Sequence, residues 1–183
     1  MSLEIFLGPM FSGKTTRLMQ IYHIHSYLDP SQVAVVNFEE DLRYGSCKDG
    51  LISHNQLKIP CLFLRQLSDL PNRIDYKLLL INEAQFFPDV KNFVLESVEK
   101  YGQKVVLFGL DGDFMRRPIG SLLELIPYCD HVEKLKAYCS RCRDGTEALF
   151  SHRLTDSKEV KCIGGAEAYQ SLCRKCWLSR KHI

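Results

Sequence analysis

Four short apolar runs are spaced along residues 1–110, and each has the length of a strand rather than of a helix. They are Leu3–Leu7, Val33–Phe38, Leu78–Ile81 and Val105–Leu110. None alternates regularly between apolar and polar residues, which is typical of strands buried on both faces of a sheet. Between them, apolar residues at helical spacing predict helices over Gly13–Leu28 and Asp89–Tyr101. Strands and helices in alternation predict an α/β domain with a parallel sheet flanked by helices.

The junction between the first strand and the first helix reads GPMFSGKTT over residues 8–16. It fits the phosphate-loop pattern G-x-x-x-x-G-K-[ST], and it follows a strand and opens a helix, as that loop must. Glycines let backbone N–H groups surround phosphates, and the helix adds the positive end of its dipole. We expect Lys14 to reach the β- and γ-phosphates and Thr15 to hold Mg²⁺. The predicted phosphate-binding residues are Gly8, Pro9, Met10, Phe11, Ser12, Gly13, Lys14, Thr15 and Thr16.

A second polar cluster follows the third apolar run, where Asn82 and Glu83 come directly after Leu78–Ile81. Downstream of a phosphate loop, such a strand end holds the magnesium carboxylate and often the catalytic base. We expect Glu83 to accept a proton from an attacking hydroxyl or water. The alternative is an ordinary exposed strand end.

Composition and charge are those of an ordinary globular protein. The chain has 183 residues, 45% hydrophobic and 25% charged, with a net charge of +2. This charge favours neither a nucleic-acid nor a membrane partner. There is no signal pattern at the N-terminus and no apolar run of the ~20 residues that span a bilayer. We therefore expect a cytoplasmic protein.

Five of the eight cysteines lie near the C-terminus, in Cys139, Cys142, Cys162, Cys173 and Cys176. Four of them form two C-x-x-C pairs, which predict a four-sulfur structural zinc site with Cys139, Cys142, Cys173 and Cys176 as ligands. Cys162 is interpreted as packing or lining a site. The chain is thus divided into a phosphate-loop domain over residues 1–137 and a small zinc-stapled domain over residues 138–183, too short for a core of its own.

Taken in order, these segments resemble one family, the thymidine kinases of the small, zinc-containing type. The resemblance rests on the phosphate loop with its Pro-Met-Phe insert and on five further segments. They are Asp41-Leu42-Arg43-Tyr44 with His54, INEAQFF over residues 81–87, GLDGDF over residues 109–114 with Arg116, Pro118 and Gly120, LKAYC over residues 135–139, and IGGAEAY over residues 163–169.

This resemblance implies transfer of the γ-phosphate of ATP to the 5′-hydroxyl of thymidine, and of deoxyuridine as well, in nucleotide salvage for DNA synthesis. It implies Glu83 as general base, and Lys14 and Arg116 as groups that stabilise the moving phosphoryl. The thymidine-binding residues that it implies are Met10, Phe114, Ser151, Val160, Cys162, Ile163, Gly164 and Tyr169. It also implies Mg²⁺ with ATP, structural Zn²⁺, a homotetramer, feedback inhibition by thymidine triphosphate, and a lasso loop over residues 151–169.

One departure from the family bears on catalysis, because the family has aspartate where this chain has Asn82. An amide brings no charge, so we expect weaker Mg²⁺ binding, with Asp41 as a second candidate ligand. A nucleoside-binding relative with weak or no turnover therefore stays open. So do another phosphate-loop ATPase or small-molecule kinase, and a zinc-ribbon protein that binds nucleic acid. Ile119, where the family usually has phenylalanine, is a milder change.

Overall fold

The computed structural model describes residues 1–27, 29–39, 50–52, 58–154 and 167–179. The strands are β1 (Ser2–Leu7), β2 (Val33–Phe38), β3 (Leu51–Ile52), β4 (Lys58–Ile59), β5 (Leu62–Leu64), β6 (Leu78–Ile81), β7 (Lys104–Gly109), β8 (His131–Lys134), β9 (Ala137–Tyr138), β10 (Glu147–Ala148), β11 (Phe150–Arg153) and β12 (Tyr169–Leu172). The α-helices are α1 (Lys14–Ser26), α2 (Val90–Leu95) and α3 (Arg174–Leu178).

The centre of the molecule is a six-stranded parallel sheet with the order β5-β2-β6-β7-β1-β8. Its four inner strands are the four apolar runs, so the predicted α/β class with a parallel sheet is confirmed. The edge strands β5 and β8 were not predicted. They have three and four residues, and none of their side chains is buried, so neither needs the continuous apolar run of an inner strand.

Both faces of the sheet are covered, which explains the uninterrupted apolar runs. On one face, Leu18 and Met19 of α1 pack in a cluster with Leu80 and Phe108. On the other face, α2 and the 3₁₀-helix Leu122–Tyr128 close a second cluster, which contains Leu79 and Leu107. Successive side chains of a strand point to opposite faces, so each inner strand must be apolar at every position.

The predicted helix over Asp89–Tyr101 is two segments in the structure, since α2 passes into a π-helical turn over Glu96–Lys100. The cause is the side chain of Arg73. Its Nη2 donates a hydrogen bond of 2.8 Å to the carbonyl of Phe93, which an α-helix would offer to the N–H four residues on. A side chain inserted into the helical ladder widens the turn. The other predicted helix corresponds to α1, with Gly13 and Tyr27 as its caps, and Leu28 lies outside the described residues.

The C-terminal part forms a compact unit of short strands. β9 pairs with β10, β11 pairs with β12, and α3 follows. A third hydrophobic cluster in this unit includes Leu172, Trp177 and the cysteines of the two pairs. This cluster is separate from the two clusters of the sheet, which is compatible with a domain boundary between residues 137 and 138. The boundary itself stays a prediction. In the described part of the chain, no helix has the length and apolar character needed to cross a bilayer.

Candidate active site

The phosphate loop lies between β1 and α1, at the carboxyl edge of the sheet. Gly13 caps α1 with φ 82°, a left-handed conformation that favours glycine. Gly8 is required for a different reason, because a Cβ there would lie 2.7 Å from the carbonyl oxygen of Leu135. The sequence pattern therefore occurs in the strand–loop–helix context that it predicts, and both glycines are needed for the shape of the loop.

Lys14 is folded over this loop rather than extended into solvent. Its Nζ donates hydrogen bonds to the carbonyl oxygens of Gly8, at 3.1 Å, and Pro9, at 2.7 Å, and only 9% of the residue is exposed. Thr15 and Thr16 follow in the first turn of α1. The loop's own carbonyl oxygens thus hold the ammonium group against the loop that the pattern predicts to bind phosphate.

The end of β6 brings Asn82 and Glu83 to the same edge. β7 separates β6 from β1, so these residues lie two strand spacings, about 10 Å, from the start of the phosphate loop. The buried amide of Asn82 donates a 3.0 Å hydrogen bond to Oδ1 of Asn37 at the end of β2. Glu83 is 6% exposed and has a left-handed backbone, with φ 52° and ψ 37°. Such strain in a non-glycine residue is concentrated at functional sites.

Gln85 links two strand ends at this edge, a role that the sequence reading missed although the residue lies in INEAQFF. Its Nε2 donates to Oε2 of Glu83 at 2.7 Å, and its Oε1 accepts from the N–H of Leu110 at 3.1 Å. Gln85 is 2% exposed. The glutamine therefore fixes the carboxylate of Glu83 relative to the segment that follows β7.

β11 connects the phosphate loop with residues expected to bind thymidine. Oγ of Ser151 accepts a 3.0 Å hydrogen bond from the N–H of Met10. Arg153 lies two residues along the strand, so its side chain leaves the same face as that of Ser151. Its guanidinium carbon lies 4.2 Å from the ring centroid of Phe114, and its Nη2 donates to the hydroxyl of Tyr169 at 2.7 Å. The structure thus brings Met10, Ser151, Phe114 and Tyr169 together through one strand, and Arg153 is a residue that sequence reasoning missed.

The loop carrying Phe114 is held by Asp113, also not anticipated. Its Oδ1 accepts from the N–H groups of Met115 and Arg117 at 2.8 Å, and its Oδ2 accepts from Nε of Arg117 at 2.8 Å. Within this loop, Arg116 has φ 66° and places its guanidinium carbon 3.7 Å from the ring centroid of Trp177 in α3. Here the arginine stacks on the cysteine-rich unit rather than on the phosphate loop.

A cavity of about 160 Å³ opens beside Ser151. Arg116 and Lys134 contribute cations to its wall, and Asp111 and Asp113 contribute carboxylates. The carboxylates are paired, since Lys134 lies 2.5 Å from Asp111 and Arg117 lies 2.8 Å from Asp113. The cavity is smaller than the roughly 300 Å³ of a typical ligand pocket, so it has room for a polar group rather than for a whole nucleoside.

The four cysteine sulfurs form a cluster in which all lie within 4.8 Å of one another. The sulfur of Cys142 lies 3.8 Å from that of Cys173 and 3.4 Å from that of Cys176. A tetrahedron with Zn–S bonds of about 2.3 Å has sulfurs about 3.8 Å apart, so the cluster fits Zn²⁺. Four protein ligands leave no open position, which is the arrangement of a structural site.

The environments of these thiols differ strongly. Burial raises the pKa of the Cys139 thiol, but hydrogen bonds from the backbone N–H groups of Cys173, Cys142 and Arg141 outweigh it and bring that pKa to about 6. Hydrogen bonds to the sulfurs of Cys176 and Cys139 raise the pKa of Cys142 to about 12.

Several predicted site residues lie outside the described residues. They are Asp41, Val160, Cys162, Ile163 and Gly164. Their proposed roles in magnesium and thymidine binding stay predictions.

Comparison with known proteins agrees with this geometry. The model of a family described as Thymidine kinase matches residues 1–177, which include the phosphate loop and all four clustered cysteines. A thymidine kinase of Yaba monkey tumor virus (strain VR587) is 38% identical over 179 residues, covering 96% of this chain and 93% of the viral protein. One of Vaccinia virus (strain Western Reserve) is 38% identical over 180 residues, covering 96% of each. One of Oryza sativa subsp. japonica is 36% identical over 182 residues, covering 96% of this chain and 66% of the rice protein. Because the match spans the sheet, the loop and the cysteine cluster together, the chain belongs to the thymidine kinase family.

Proposed function

We propose that this protein transfers the γ-phosphoryl group of ATP to the 5′-hydroxyl of thymidine, giving ADP and thymidine monophosphate. The observation that carries the proposal is the hydrogen bond from Met10 of the phosphate loop to Ser151 of β11. β11 also carries Arg153, which contacts Phe114 and Tyr169. The proposed ATP site and the proposed aromatic site for the nucleoside are therefore connected directly through β11, as a nucleoside kinase requires.

The phosphate loop would bind ATP through its backbone N–H groups. Lys14 would exchange the carbonyl oxygens of Gly8 and Pro9 for phosphate oxygens, which are stronger acceptors because they are charged. This puts a buried positive charge where negative charge accumulates during transfer, the largest contribution to phosphoryl-transfer catalysis. Arg116 would add a second charge once its guanidinium leaves the ring of Trp177.

Glu83 is the proposed general base, and it would take the proton of the 5′-hydroxyl as the oxygen attacks phosphorus. Its carboxylate is buried, and Gln85 fixes one of its oxygens. A base held in one orientation loses less freedom in the transition state than a mobile one.

Mg²⁺ bound with ATP would neutralise phosphate charge, with the hydroxyl of Thr15, the amide oxygen of Asn82 and Asp41 as its proposed protein contacts. The buried amide of Asn82 at the sheet edge fits a weak role of this kind, since it offers an oxygen without a charge. Zn²⁺ would be held by the four clustered cysteines and would anchor α3 and β12.

Thymidine is the proposed acceptor. Met10, Phe114, Ser151 and Tyr169 would line its pocket, together with Val160, Cys162, Ile163 and Gly164. Deoxyuridine lacks only the methyl group, and one methyl in an apolar pocket is worth only about 1–3 kcal/mol, so we propose that it is also accepted. The resemblance further supports a homotetramer that thymidine triphosphate inhibits, which sedimentation and inhibition kinetics would test.

The experiment is a phosphoryl-transfer assay with Mg-ATP and a panel of thymidine, deoxyuridine, deoxycytidine and deoxyguanosine. Thymidine should give the highest kcat/KM, with deoxyuridine next. Preference for an unrelated acceptor would indicate another small-molecule kinase. Thymidine binding by calorimetry, without phosphorylation at any magnesium concentration, would identify a relative without turnover.

A further inference from the structure

Arg153 is a buried cation outside the expected catalytic set. It ends β11 opposite Tyr169 in the β11–β12 register, and only 3% of it is exposed. A guanidinium is costly to bury, so its position is stable only where its N–H groups and its charge are compensated. Its contacts therefore indicate what it does.

Those contacts join two aromatic side chains from separate parts of the chain. The guanidinium carbon lies 4.2 Å from the ring centroid of Phe114 and 5.4 Å from that of Tyr169. Its Nη2 and Nε donate to the hydroxyl oxygen of Tyr169 at 2.7 Å and 3.3 Å. Phe114 belongs to the loop that Asp113 holds, whereas Tyr169 begins β12. Arg153 is the side chain that sets one relative to the other.

We propose that Arg153 is a positioning residue that preforms the nucleoside pocket; this inference rests on the proposed function. It holds the ring of Phe114 by a cation–π contact and orients the hydroxyl of Tyr169 by two hydrogen bonds. Because the phenol oxygen accepts both bonds, the hydroxyl group and ring of Tyr169 are held in one position relative to β11.

Lysine could not replace this group. A guanidinium is planar, so it stacks on one ring and sends two N–H groups to one oxygen, whereas an ammonium is a compact point charge. Ser151 lies two residues before Arg153 on the same strand face and accepts from Met10 of the phosphate loop. A shift of Arg153 would therefore move the nucleoside walls relative to the phosphate donor.

The test is steady-state kinetics on the full chain for wild type, Arg153→Met and Arg153→Lys, with thymidine and ATP varied separately. Arg153→Met should raise the KM for thymidine about tenfold or more, because a pocket left unformed must be ordered by the substrate. The KM for ATP should change less than about twofold. Arg153→Lys should recover little of the loss. Arg65→Met, which removes an exposed guanidinium 2.7 Å from Glu39, is the matched control and should change neither constant.

A double-mutant cycle tests the route through Tyr169. Tyr169→Phe alone should raise the KM for thymidine, and adding Arg153→Met should then cost less than it does in wild type. An unchanged thymidine KM in Arg153→Met, or an equal rise for ATP and thymidine, overturns the proposal. If no Arg153 variant folds, an unchanged thymidine KM in Tyr169→Phe overturns it. If the wild-type protein never phosphorylates thymidine, the proposed function is overturned instead. The Arg153 and Tyr169 variants are then compared by their calorimetric affinity for thymidine rather than by KM.

Discussion

At the scale of single residues, the two polar residues that follow β6 are both buried, and one of them has a strained backbone. Glu83 has a left-handed backbone at φ 52°, although only glycine adopts this region without cost. Asn82 beside it is 3% exposed and hydrogen-bonded to Asn37. Two neighbouring polar residues are thus fixed by the strand end at the expense of local stability, which favours a role in chemistry over one in folding.

Glu83→Gln tests the proposed base. The amide oxygen of glutamine can still accept the hydrogen bond from Gln85, so the local structure should survive while the ability to take a proton is lost. We expect kcat to fall about a hundredfold or more with an unchanged melting temperature. Turnover near the wild-type level would remove Glu83 from this role. Glu133→Gln, on the exposed strand β8, serves as the control.

Asn82→Asp tests magnesium binding. Asn37 can turn its amide to donate to the new carboxylate, so the buried contact can be kept while a charge is added. We expect half-maximal activity at a lower Mg²⁺ concentration, because a carboxylate binds this ion better than an amide does. The measurement is the Mg²⁺ titration of thymidine phosphorylation. An unchanged titration curve would mean that residue 82 does not act on the metal.

At the scale of elements, two side-chain clusters determine segments that sequence periodicity does not. Arg73 interrupts α2 and pairs with Glu96 at 2.8 Å, while Lys100 pairs with the other oxygen of Glu96 at 2.8 Å. The cysteine cluster organises β12 and α3, where Trp177 is 5% exposed. The first cluster accompanies a π-helical turn in place of a regular one, and the second holds together elements that are too short to be stable alone.

The Arg73–Glu96–Lys100 cluster predicts a pH dependence of stability. Hydrogen bonds from Lys100 and Arg73 lower the pKa of Glu96 to about 2, from 4.5. A carboxyl whose folded pKa is depressed stabilises the fold above its unfolded pKa and loses that contribution as the pH falls toward 2. Glu96→Gln should therefore lower the melting temperature at pH 7, and its difference from wild type should shrink between pH 5 and pH 3.

The control for this comparison is Glu147→Gln, which removes an exposed pair with Lys136 and should change the melting temperature less. Any zinc lost in acid is lost by all the proteins, so the difference at each pH isolates Glu96. A difference that stays constant down to pH 3 would contradict the assigned pKa.

Removal of zinc should unfold the C-terminal unit first. Its hydrophobic cluster is small, so the metal supplies stabilisation that burial does not. We expect about one zinc per chain in wild type and none in Cys173→Ser. Trp177 is the chain's single tryptophan, so loss of metal should shift its fluorescence to longer wavelength. Cys129→Ser should change neither property. A metal-free protein with wild-type emission and activity would contradict the structural role.

Segments whose residues follow a local pattern could be predicted from the sequence, whereas segments that depend on distant side chains could not. The inner strands and α1 could be predicted because burial on the sheet makes their residues apolar at the expected period. The phosphate loop and cysteine pairs could be predicted because their spacing is fixed by chemistry. The π-helical turn could not, since it depends on Arg73, about 20 residues away. Arg153 was missed for the same reason, because its partners Phe114 and Tyr169 are distant in sequence.

At the scale of the whole molecule, the cysteine-rich C-terminal unit and the sheet contact each other beside the phosphate loop. Ser151 reaches the phosphate loop, and Arg116 of the sheet domain stacks on Trp177 of the zinc unit. Zinc held by the four cysteines would therefore act on the proposed reaction indirectly, by fixing the strand and helix that carry these contacts. This arrangement fits the proposed transfer of a phosphoryl group from a nucleotide on the loop to a nucleoside beside it.

The most direct test is to measure ADP and thymidine monophosphate in the same reaction with Mg-ATP and thymidine. We expect the two products to form in a ratio of about one, and omission of thymidine to stop ADP formation. Lys14→Ala should reduce both together by about a hundredfold or more, since it removes the charge on the loop. If ADP forms at the same rate without thymidine, and no thymidine monophosphate appears when thymidine is present, the protein is an ATPase and not a thymidine kinase.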